Sequence, residues 1–141
     1  MRLSILLILI AVIPPAMADT ELEDQINNSY LALSAFECSD LAPDDEEAER
    51  LFLLGLNAGR QFLAYRGLNW DTYIDLIAPK VSDLWNLTSG PSDDFILGQI
   101  YLQVFNERAM FEGVTTLEEI ELWDLARSDR YRDKNCSFLG K

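Results

Sequence analysis

The side chains that could carry chemistry are two cysteines and 24 carboxylates, set beside 11 basic residues and no histidine. Without imidazole, Ser-His-Asp and Cys-His nucleophiles, an HExxH zinc helix and a histidine proton shuttle are all excluded. Carboxylate catalysis remains possible in principle, as in glycoside hydrolysis, where two acids flank the scissile bond. The acids gather as Asp44 to Glu49, as Asp93 with Asp94, and as Glu118, Glu119 and Glu121. Each group stands at an expected helix start, where capping and the helix dipole account for it. The chain has no D-x-[DN]-x-[DN]-G-x5-E calcium loop, only two widely separated thiols for zinc, and no glycine-rich phosphate loop. The sequence therefore predicts no metal, no cofactor and no enzyme.

The elements that would position any site begin after an address. Arg2, the apolar run Leu3 to Ile13 broken only by Ser4, the pair Pro14-Pro15 and then Ala16-Met17-Ala18 follow the order of a secretory signal peptide. The apolar run is too short to span a bilayer, so residues 1–18 are expected to be removed and 19–141 to form one helical domain. The mature chain would keep 24 acidic and 10 basic residues, a charge of −14. That balance disfavours nucleic acid, which is held by clustered Lys and Arg, and no stable membrane insertion is expected after cleavage. In an exported domain of this size an even cysteine count predicts a disulfide between Cys38 and Cys136.

Spacings of three and four dominate the remainder, and no convincing strand alternation occurs. Thr20 with Glu23 reads as a capping box, opening a helix from about Glu21 to Phe36 with Cys38 just past its end. A second helix starts at Asp44 or Asp45 and ends near Gly67, read as a left-handed terminator; Gly55 and Gly59 within it predict close approach of another helix. Asn69 is placed to cap a short helix from Trp70 that stops before Ala78-Pro79. Lys80 to Leu87 fits either one turn or a linker. Ser92 with Asp93 and Asp94 opens a strongly apolar helix running to about Glu112 and ended by Gly113. Thr115 and Thr116 offer overlapping capping boxes for a last helix through Trp123 towards Tyr131, with Arg127, Arg130, Arg132 and Lys134 at its C-terminal end. The expected fold is all-α, a compact bundle of five or six helices closed by one disulfide.

Seven Phe, five Tyr and three Trp residues raise the prospect of a ligand pocket between helices, with Trp70, Tyr73, Trp85, Tyr101, Phe105 and Trp123 as its lining. Three N-x-[ST] sequons, at Asn27, Asn86 and Asn135, matter only where secreted proteins are glycosylated.

Phe36-Glu37-Cys38-Ser39, the stretch from Glu49 to Phe62, Gly90-Pro91-Ser92-Asp93-Asp94-Phe95-Ile96-Leu97-Gly98 and Asn135-Cys136-Ser137 together resemble small exported bacterial proteins of unknown function. In plan the chain is also similar to periplasmic immunity proteins of antibacterial secretion systems and to small acid-stress chaperones. No activity is implied by the first likeness. The charge of −14, together with the absence of catalytic machinery, points to a periplasmic or secreted interaction protein, an inhibitor or immunity factor, whose acidic surface speeds encounter with a basic partner such as a cationic cell-wall hydrolase. The aromatic content supports a different expectation, a helical carrier of a small apolar ligand, and a carboxylate-dependent hydrolase stands third.

Overall fold

A computed structural model describes the backbone of residues 15–112 and 117–141, and the side chains of 19–105 and 125–141. Residues 1–14 of the expected signal segment, Gly113, the capping boxes at Thr115 and Thr116, and the Trp123 side chain lie outside the described residues.

Helix α1 spans Pro15–Leu41. It differs from expectation at both ends: Thr20 lies inside the helix instead of capping it, and Cys38 belongs to its last turns. Ser39 and Asp40 are weak helix formers, which is why a break was expected there. Burial overrides that preference, because Ala35, Phe36, Cys38, Ser39, Leu41 and Ala42 are all at most 5% exposed. Only Pro43 stops the helix, by pushing Ala42 out of helical geometry.

Helix α2 (Asp45–Leu68) begins as predicted, with Asp44 extended at φ −150° and its carboxylate accepting from the Glu47 N–H at 2.9 Å. Its end corrects the sequence reading. Gly67 remains helical, and the chain leaves through Asn69, at φ −128°, whose N–H donates to Tyr65 O. The turn at 42–44 folds α2 back antiparallel on α1, so that Asn28 meets Gln61 and Phe36 meets Gly55.

The two helical glycines serve two different neighbours. A Cβ on Gly55 would lie 2.7 Å from the Phe36 ring and 3.2 Å from Ala32 O, both on α1, whereas one on Gly59 would meet the Leu97 side chain. Leu97 is met at the tip of a flexible side chain, whereas at Gly55 a rigid ring and the Ala32 backbone oxygen both stand in the way. Gly55→Ala is therefore expected to destabilise by about 1 kcal/mol, overpacking outweighing the helix-propensity gain. A urea midpoint equal to or above that of the native protein would show that Phe36 moves aside.

Beyond Asn69 the chain makes single turns: α3 (Trp70–Thr72), a π-turn at Tyr73–Ile77, a 3-10 turn at Ala78–Lys80 and α4 (Asp83–Leu87). Pro79 has no N–H and its ring would clash with the carbonyl four residues back, so the backbone widens before it. Ser82 caps α4 by accepting from Leu84 N, so that of the ambiguous stretch Lys80 to Leu87 only Asp83–Leu87 is a short helix, preceded by an extended Val81. Helix α5 (Asp93–Glu112) is opened by Ser92, whose hydroxyl accepts from Phe95 N at 3.2 Å. Helix α6 (Leu117–Asp133) leads to a 3-10 turn at Cys136–Phe138.

These elements enclose two cores. The larger gathers Phe36, Phe62, Leu63, Tyr73, Ile77, Trp85, Ile96, Leu97 and Ile100 from α1 through α5. The smaller joins Cys38, Leu41, Ala42 and Leu51 to Cys136, with Leu54, Tyr131 and Leu139 against them. Cys38 and Cys136 form the disulfide, 98 residues apart with Cα atoms separated by 5.5 Å. The fold is thus a compact all-α bundle, with six α-helices and no strand among the described residues. No helix among them is long and apolar enough to cross a membrane.

Candidate functional site

The segment between α2 and α5 cannot bury all its apolar side chains, because its helices are single turns. Tyr73 and Ile77 point into the larger core at 1% and 0% exposure, which turns Ile74 and Leu76 outward. Leu68 (85%), Leu87 (82%) and Trp70 (56%) are more exposed still. Trp70 is fixed, stacked on Tyr73 at 5.6 Å between ring centroids. The far side of the segment is tied down as well: the Tyr73 hydroxyl donates to Asn86 Oδ1 at 2.5 Å, Asn86 Nδ2 donates to Ala78 O, and Arg66 donates to Trp85 O at 2.6 Å. Interleaved with these apolar groups are the exposed carboxylates Asp71, Asp75 and Asp83, with Lys80 the one basic residue between Asn69 and Asp94. The segment from Leu68 to Leu87 thus carries exposed hydrophobic side chains interspersed with exposed carboxylates.

Of the six aromatics expected to line a pocket, three share this region. Trp70 stacks on Tyr73, and Tyr73 and the fully buried Trp85 both pack on Phe62, with centroids 5.9 and 4.7 Å away. Trp85 Nε1 is buried with no acceptor among the described residues. Tyr101 belongs to a separate group with Phe36 and Phe52, at 5.5 and 5.1 Å. Phe105 is 43% exposed. The segment's outward leucines and isoleucine went unnoticed in the sequence. Ile74-Asp75-Leu76, apolar groups astride an acid beside a proline, was the available signal.

A concave feature lies between α6 and the α1–α2 turn, a cavity of about 360 Å³ lined by Leu41, Ala42, Pro43, Arg127, Ser128 and Tyr131. Arg127 donates to Ala42 O across its mouth. Below it the C-terminal tail is clamped. Arg50 holds both carboxylate oxygens of Glu47 at 2.6 and 2.7 Å and donates to Leu139 O at 2.8 Å, while the Tyr131 hydroxyl donates to Glu47 at 2.5 Å. Lys134 pairs with Glu37 at 2.9 Å beside the disulfide. In the sequence Glu47 was one of several acids near a helix start; its partner Tyr131 is 84 residues away, beyond any local signal.

This clamp sets a pH window. The Arg50 guanidinium holds the Glu47 carboxyl down at about 2 against an ordinary 4.5, with the Tyr131 hydroxyl assisting. Burial, followed by the hydrogen bond to Glu47 and then that carboxylate's charge, pushes the Tyr131 phenol up to about 12 from 10. A depressed acid stabilises the fold above its unfolded value, so Glu47's contribution is present above about pH 4.5 and is lost as pH falls towards 2. The raised phenol contributes below pH 10 and is lost as pH climbs through 12. Glu47→Gln is therefore expected to lower stability at neutral pH and to converge on the native protein in acid. Two denaturation curves with a constant gap from pH 6 to about 2 would contradict this.

Among the described residues no group of three or more His, Cys, Asp or Glu side chains is arranged to hold a metal ion. Comparison with protein families, with curated proteins and with solved structures gives no match.

Proposed function

We propose that the chain is an exported, periplasmic or secreted interaction protein that acts as an inhibitor or immunity factor by docking a basic protein partner on the surface between Leu68 and Leu87. One observation carries this reading: Leu68, Trp70 and Leu87 stand more than half exposed beside Asp71, Asp75 and Asp83. Fixed aromatic and aliphatic groups within a charged rim are the anatomy of an interface, with the apolar centre supplying affinity and the rim supplying encounter rate and choice of partner. The formal charge of −13 on the whole chain acts in the same direction.

The test is retention of a cationic protein from envelope extract on the immobilised, disulfide-intact chain. Retention is expected at low salt, weakened at high salt, and lost in the Asp71→Lys/Asp75→Lys/Asp83→Lys variant. The rings expected to line a carrier pocket instead pack in two groups, centred on Phe62 and on Phe36.

A further inference from the structure

Helix α5 has a second apolar face. Its inner side buries Ile96, Leu97 and Ile100, yet Phe95, Leu102 and Phe105 are 47%, 55% and 43% exposed. With Gly98, which is exposed and has nothing within 4 Å of its Cβ direction, they recur at intervals of three, four and three. That is the a/d spacing of a helix-pairing seam. The twelve residues from Phe95 to Asn106 also carry no charge, in a chain whose formal net charge is −13.

We infer that this stripe is the interface of a homodimer, formed by two α5 helices packed antiparallel about a two-fold axis. The stripe is complementary to itself about its midpoint near Ile100. Running the second helix the other way sets Phe95 against the partner's Phe105 and Gly98 against the partner's Leu102, a hollow facing a knob. Antiparallel order also aligns the helix dipoles favourably. Charge selects the occupant. Two copies this acidic repel over most of their surfaces and can approach closely only through an uncharged face, whereas the electrostatic attraction that draws in a basic partner is absent from one.

Sedimentation of the full-length, disulfide-intact chain over a concentration series is the test. The weight-average mass is expected to rise from one chain to two, with salt preserving or favouring the larger species because it screens repulsion between acidic copies. Leu102→Glu, at an exposed position in a helix, is expected to weaken association at least about tenfold by placing a charge in the seam. Gly98→Phe should do the same by filling the hollow, while Leu53→Glu, on the exposed side of α2, should leave association unchanged. A single-chain mass at every concentration would overturn the inference, as would a dimer that survives both Leu102→Glu and Gly98→Phe. The salt response is opposite in sign to that expected for docking a basic protein, so either idea can fail alone.

Discussion

Replacing Cys38 and Cys136 together by alanine is expected to lower global stability by about 4 kcal/mol, from loop-closure entropy over a near hundred-residue loop. The loss should also be uneven. The disulfide belongs to the smaller core, with Leu41, Ala42, Leu51 and Leu139, and none of the aromatic groups centred on Phe62 or Phe36 touches it. What the bond holds is the tail. Without it, the polar ties near the chain end include Arg127 to Ala42 O, Arg50 to Leu139 O, Tyr131 to Glu47 and Lys134 to Glu37, the last part-exposed and worth little in water. Amide exchange should therefore quicken first over residues 127–141, while Phe36, Phe62 and Ile100 stay protected. Denaturation with and without a dithiol reductant, followed by exchange mass spectrometry, checks both parts. A loss below about 1 kcal/mol would show that the bond constrains the unfolded chain little, and uniform loss of protection would show that the two cores are one cooperative unit.

Phe62→Ala should cost about as much, about 3 to 5 kcal/mol, by a different mechanism. Phe62 is fully buried and its ring touches both Tyr73 and Trp85. Truncation leaves a cavity that neither neighbour can fill. Tyr73 is held through its hydroxyl by Asn86, and Trp85 through its carbonyl by Arg66. Because single domains keep only about 5 to 15 kcal/mol in total, this substitution should leave a large unfolded fraction under mild denaturant. Trp70 should also lose its fixed position, since its support is Tyr73. A stability change under 1 kcal/mol would mean that the short helices repack around the gap.

Residues that act within one helical turn were the most legible in the sequence. Asp44 and Ser92 cap α2 and α5 because a short polar side chain reaches an N–H three residues on. The disulfide was legible from the even cysteine number together with the signal-like order of residues 1–18. The end of α1 was not, because burial of Cys38, Ser39 and Leu41 is decided by contacts with distant Leu51 and Cys136. Gly67 was misread for a related reason: the chain could continue one residue further and close through the Asn69 N–H, with no left-handed residue needed. The exposed leucines of the candidate surface were least legible. Periodicity marks which residues could be buried, but Leu68 and Leu87 are exposed because single turns have too little length to cover them.

The most direct test of the central claim compares capture of a cationic protein by the native chain with capture by Trp70→Ala. Trp70 is half exposed and rests on Tyr73 without entering the core, so its removal should leave thermal stability within about 0.5 kcal/mol. If the Leu68 to Leu87 surface is the docking site, the variant should retain the basic partner at least about 30-fold more weakly, as expected for an aromatic anchor at an interface. Equal capture by the two chains at low salt, or no cationic protein retained by either, would contradict the account.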